Sequence, residues 1–109
     1  MREDIHYALA LVGEETSECG VIVGKAMRFG LDASGPPGPP YHGSCARELL
    51  PIEAGDVLAA FRYSALCGIL DLAEVERFAD AKLQRLLDPS SRDAQGIRLA
   101  PEPGTGRYL

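Results

Sequence analysis

Basic residues are scarce in this chain: 11 Lys and Arg stand against 16 Asp and Glu, a net charge of −5 at neutral pH. The acids are spread along the sequence. Nucleic-acid backbones and anionic membranes both require a basic face, so neither is expected as a partner. A nucleotide whose charge is carried by bound metal is not excluded. Cysteine is limited to Cys19, Cys45 and Cys67, an odd number without Cys-x-x-Cys spacing. Cys19 and Cys67 fall on apolar helical faces, which suits reduced thiols used as small core residues and a cytoplasmic location. No apolar run approaches the roughly 20 residues of a membrane span, and no signal-peptide pattern opens the chain. A phosphate-cradling Gly-x-x-x-x-Gly-Lys loop is also missing.

What the chain does have is helical periodicity interrupted by acids. Alternating steps of three and four from Ile5 give Ile5, Ala8, Val12, Glu15, Cys19, Ile22, Ala26 and Phe29. This predicts a first amphipathic helix from Glu3 or Asp4 to Phe29, stopped at Gly30. Gly13, Ser17, Gly20 and Gly24 form a second stripe on it, explained either by a close helix neighbour or ligand or by tolerated weak positions. Residues 30–43 carry four prolines and four glycines and read as a loop, functional or disordered. A second helix is predicted from an N-cap at Ser44 to about Cys67, with the seam Ala46, Leu49, Glu53, Asp56, Ala60, Tyr63 and Cys67. Pro51 is expected to kink it or delay its regular start. Asp71 with Glu74 opens a third helix, whose apolar face is Leu72, Val75, Ala79, Leu83 and Leu86 and whose end is Asp88-Pro89. The expectation is one all-α domain over 1–88, followed by an extended arm over 89–109 with Ile97, Leu99 and Tyr108 as docking candidates.

Glu15 and Glu18 interrupt the first seam, and Glu53 and Asp56 interrupt the second. Residues three apart project together from a helix, at about 60° of rotation. Packed antiparallel, the two helices converge four carboxylates. Such groups raise one another's pKa and do not all stay ionised without cations. An all-oxygen set is the hard-ligand profile of Mg²⁺ or Mn²⁺. A ferritin-like di-iron centre needs Glu-x-x-His pairs, and neither His6 nor His42 stands at that spacing.

Glu14-Glu15-Thr16-Ser17-Glu18 followed by Glu53-Ala54-Gly55-Asp56 resembles the EExxE…ExxD signature of the all-α, MazG-like nucleoside triphosphate pyrophosphohydrolases. The resemblance covers the run to Gly30 and the EAGDVLAAFRY context, about half the chain. In layout the sequence looks most like small phage-encoded members that act on purine deoxynucleotides. The resemblance implies metal ligation by Glu15, Glu18, Glu53 and Asp56, and an oligomeric assembly. Glu14 matches the first acid of the motif but lies about 100° round the helix from Glu15. Two features depart from the family: the longer spacing between the half-motifs, filled by the Pro/Gly loop, and Pro51 in place of a helix former.

Lys25 lies seven residues beyond Glu18, on the same face about 10 Å further along, where a cation meets phosphate oxygens or simply snorkels at a helix edge. Lys82 on the third helix is a second candidate for that task, against a surface role. Tyr63 either packs in the core or stacks on a base. The resulting expectation is magnesium-dependent hydrolysis of a (deoxy)nucleoside triphosphate such as dGTP or dATP, with Glu15 or Glu18 accepting the proton of the attacking water. The alternatives are a non-catalytic helical interaction protein and a divalent-cation buffer. With three helices per chain, four-helix packing is expected to be completed in a homodimer or a dimer of dimers.

Overall fold

The computed structural model describes residues 1–39 and 41–91. Among them the chain is all-α, with α1 (Glu3–Phe29), α2 (Ala46–Leu66) and α3 (Leu72–Leu87) and no strand. Of the expected arm, residues 92–109, with Ile97, Leu99 and Tyr108, lie outside the described set. The chain divides into two compact units, Met1–Leu72 and Ala73–Leu109. None of its described helices is long and apolar enough to cross a membrane.

Helix α1 begins with Glu3 and Asp4 in its first turn and ends with Arg28 in its last, each charge opposing the nearer end of the helix dipole. Gly30 stops it at φ 90°, donating its backbone N–H to the Ala26 carbonyl at 2.8 Å. The predicted seam is the buried face. Ala8 and Ile22 are buried, while Ile5, Val12, Glu15, Cys19 and Ala26 are half-buried. Phe29, the last seam position, is instead 63% exposed.

Helix α2 starts one residue later than its sequence suggests. Its N-cap is Cys45, not Ser44, because the reciprocal capping partner lies three residues after Cys45. The thiol and backbone N–H of Cys45 both meet the Glu48 carboxylate. The helix runs through Pro51, so the proline does not delay its start. Ala46, Ala60 and Ser64 are buried along it, and the Ser64 hydroxyl is satisfied by the Ala60 carbonyl at 2.9 Å.

The two helices pack antiparallel within the first unit. Near the start of α1, the Arg2 guanidinium donates to the Cys67 carbonyl at 3.1 Å, and the Tyr7 ring meets Tyr63 edge-on at 5.6 Å. Near its end, Ile22 clusters with Ala46 and the loop residue Tyr41, flanked by Ala26, Leu49 and Leu50. Between these two contacts the register sets Glu15 and Glu18 opposite Asp56 and Glu53.

The Pro/Gly segment between the helices closes on itself through backbone hydrogen bonds. Gly35 N–H donates to the Ser44 carbonyl at 3.0 Å, Gly43 N–H to Pro36 at 2.9 Å, and His42 N–H to Gly38 at 2.9 Å. Arg47 ties the loop's start to α2, donating its backbone N–H to the Leu31 carbonyl and a two-pronged guanidinium contact to Asp32 at 2.6 and 3.0 Å. That contact holds the Asp32 carboxyl below its usual value. At Gly35 a Cβ would lie 2.5 Å from Tyr41 Cβ and 2.8 Å from the Ser44 carbonyl, so only glycine lets Tyr41 fold in beneath it.

In the second unit, α3 carries Glu74 in its first turn and Arg85 in its last. None of its residues is fully buried, and Phe78, Leu83 and Leu87 are exposed.

Candidate functional site

The antiparallel register brings three acids together. Carboxylate oxygens of Glu15 and Glu18 on α1 and Glu53 on α2 all lie within 4.8 Å of one another, a group that could hold a metal ion. Glu15 and Glu53 are half-buried and Glu18 is exposed. Asp56 stands outside this set and is exposed, but its charge is felt by both half-buried acids. Glu14 is exposed, as its position round the helix requires.

The cluster has no internal compensation. The Oε2 atoms of Glu15 and Glu53 are buried and lack any hydrogen-bond partner among the described residues. The ion pairs of Arg2 with Asp4 and of Arg47 with Asp32 do not involve the cluster. Burial raises the Glu15 carboxyl above its ordinary value, and the charges of Glu18, Asp56, Glu14 and Glu53 push it the same way. Glu53 is raised for the same reasons, by burial first and then by Asp56 and Glu18. The acids lie on the seam between buried apolar residues, Ala8 and Ala60 toward one end of the helix pair and Ile22 and Ala46 toward the other. A carboxylate so placed favours whatever positive partner arrives, a proton or a cation.

Lys25 has its ammonium over two rings, 5.5 Å from the Phe29 centroid and 5.9 Å from that of Tyr41. It forms no ion pair with an acid among the described residues. Tyr63 packs on Tyr7, toward the opposite end of the helix pair, and burial raises its hydroxyl pKa, helped by Cys67. Lys82 is an exposed residue of α3, in the second unit. The small stripe faces away from α2, for a Cβ added at Gly13, Gly20 or Gly24 meets nothing within 4 Å. Ser17 returns its hydroxyl to the Gly13 carbonyl at 2.7 Å.

Sequence reasoning missed Tyr41. It is 6% exposed and packs against Ile22, yet its hydroxyl is buried without a partner among the described residues. A hydroxyl left so costs about 1–3 kcal/mol unless water or a ligand meets it. Its ring forms part of the wall of a cavity of about 290 Å³ between the C-terminal turn of α1 and the loop. The available signal was a lone aromatic in a run of prolines and glycines.

No family model matches the chain, and neither a curated protein nor a solved structure is significantly similar to it.

Proposed function

We propose that this protein is a metal-dependent nucleoside triphosphate pyrophosphohydrolase, converting a nucleoside triphosphate and water to the monophosphate and pyrophosphate. One observation carries the reading. Two half-buried glutamates from different helices each present an unpartnered buried oxygen, with a third carboxylate within 4.8 Å and no cationic side chain paired to them among the described residues. A solvated surface patch does not bury carboxylate oxygens in this way. The donor set contains only oxygen, which fits a hard divalent cation such as Mg²⁺ or Mn²⁺.

Glu15, Glu18 and Glu53 are the residues that would hold such an ion, with Asp56 completing the set. When bound, it neutralises phosphate charge and acidifies water. The chain's own residues do the rest. Glu15 and Glu18 are the candidates to accept a proton from the attacking water, as carboxylates placed beside the phosphates. The apolar residues flanking the cluster limit bulk water and strengthen every charge interaction there. The MazG-like sequence signature adds the reaction class and points to purine deoxynucleotides as first substrates, and the all-α architecture is compatible with it.

The test is a turnover screen across dNTPs and NTPs with products identified, run with magnesium and with EDTA. Monophosphate and pyrophosphate formed only with magnesium support the proposal. Saturable Mg²⁺ or Mn²⁺ binding without turnover of any nucleotide would replace it with a cation-binding protein.

A further inference from the structure

The cavity beside the loop lies on the same side of α1 as the acids. Lys25 follows Glu18 by seven residues, about 10 Å along the helix and within about 20° of the same direction, and Phe29 follows one turn later. The order along α1 is therefore carboxylates, cation, aromatic ring. Lys25, Phe29 and Tyr41 line the cavity together with Ser34 and Ser44. Its volume of about 290 Å³ is enough for a flat ring system and too little for a whole nucleotide. Apolar ring faces suit the flat sides of such a ligand, and the two serine hydroxyls can meet its polar edge. The Lys25 ammonium, held over the Phe29 and Tyr41 rings and in no ion pair among the described residues, is available to an anionic group attached to that ring system.

We infer that this cavity is the nucleobase subsite of the chain, with Lys25 meeting the sugar-phosphate portion that runs back toward Glu18. The inference rests on the nucleotide reading of the acid cluster, but the subsite is testable without catalysis. Its walls are specific to this sequence. Tyr41 comes from the extended Pro/Gly loop, and it reaches α1 only because Gly35 has no side chain. The loop is thus part of the binding surface, and Phe29 is exposed at the end of the seam because it faces this cavity and not α2.

The experiment titrates the metal-free full chain in EDTA with the neutral nucleosides deoxyguanosine and deoxyadenosine, and with ribose as the base-free control, by NMR. Neutral probes avoid repulsion by the acids. Saturable shifts at Phe29, Gly35 and Tyr41 with a nucleoside but not with ribose support the subsite. They should be lost in Phe29→Ala, an exposed position whose truncation spares the helix interface. No nucleoside response, or shifts centred on Tyr7 and Tyr63, would overturn it. With magnesium and a substrate that turns over, Phe29→Ala and Lys25→Gln should each raise KM about 10-fold while kcat changes less than about 3-fold, the pattern of lost uniform binding. A fall in kcat with KM unchanged would also overturn the assignment. Nucleoside binding without hydrolysis of any triphosphate would leave the subsite standing and reject the proposed reaction. Hydrolysis without base-dependent binding would do the reverse.

Discussion

Glu15 and Glu53 bring carboxylate oxygens within 4.8 Å of each other across the α1–α2 interface, and each keeps its Oε2 buried without a hydrogen-bond partner among the described residues. They occupy seam positions that apolar residues fill elsewhere along both helices. A helix pair selected only for stability would place an aliphatic side chain at each, because a buried charge without a partner opposes folding. If the pair gives up stability for a site, as proposed, the first consequences should be visible in substitutions.

Glu15→Gln is expected to lower magnesium-dependent turnover about 100-fold or more, because losing a ligand should exceed the roughly 10–100-fold cost of losing a residue that merely orients one. Glu14→Gln, at an exposed position outside the cluster, should retain most activity. The same Glu15→Gln change removes a charge that four neighbouring acids oppose, so its metal-free melting temperature should equal or exceed that of the wild type. Activity assays and thermal melts in EDTA check both halves. Equal turnover in the wild type and Glu15→Gln would sink the cluster as the site of chemistry.

The raised carboxyls of Glu15 and Glu53 give a pH signature. A group whose folded pKa exceeds its unfolded value takes up a proton on folding. Its contribution is fully present below the unfolded carboxylate pKa and is lost as pH rises through the folded one. In EDTA the melting temperature should fall as pH rises from the ordinary carboxylate range toward neutrality. Asp32 and Asp88, whose carboxyls are lowered, act in the opposite sense but in a window below that range. Magnesium should remove the decline, and Glu15→Gln should flatten it. A melting temperature that climbs steadily over the same window in EDTA would show that the acids are solvated.

The helices and the acid pairs were legible because they depend on local rules. The seam of α1, its stop at Gly30 and the positions of Glu15, Glu18 and Glu53 follow from periodicity and one glycine. The N-cap at Cys45 was not, because cysteine is an unusual cap and the deciding partner was Glu48. The cavity was illegible for a different reason. Prolines and glycines announce turns without saying where the chain between them goes, and Tyr41 reaches Ile22 through the close approach at Gly35. Periodicity also placed Phe29 on the seam, but α2 begins near Ile22 and Ala26 and does not cover it.

The outward small stripe leads to an assembly prediction. Within this chain, Gly20 is an exposed helix position where a methyl group meets nothing. Were it solvent-facing in solution, Gly20→Ala would stabilise α1 by about 1 kcal/mol. Exposed Val21 and Met27 on the same helix, and Ile52 and Leu66 on α2, instead suit a second copy. The expected species is a homodimer or a dimer of dimers, weakened by Gly20→Ala if the stripe lies at the contact. Light scattering at micromolar concentration checks it, and a monomeric mass for the wild type refutes it.

The position of bond cleavage discriminates most sharply among phosphohydrolases. Acids on two facing helices can grip adjacent phosphates from the side through cations, whereas a Gly-x-x-x-x-Gly-Lys loop wraps terminal phosphates in backbone amides. This chain has the acids and lacks that loop. Gly13, Gly20 and Gly24 sit inside α1, and in the Pro/Gly segment the backbone N–H groups of Gly35, His42 and Gly43 are already donated to carbonyls. If the base enters the cavity beside Phe29, the phosphates extend back past Lys25, and the α-phosphorus is the first to approach the cluster. Water would then attack there, the bond to the bridging oxygen would break, and pyrophosphate would leave with that oxygen. With dGTP or dATP in ¹⁸O-labelled water, the label should enter the monophosphate, and pyrophosphate should appear in a single step. Orthophosphate with accumulating nucleoside diphosphate, or label only in the released phosphate, would reject attack at the α-phosphorus even if the acids bind metal as proposed.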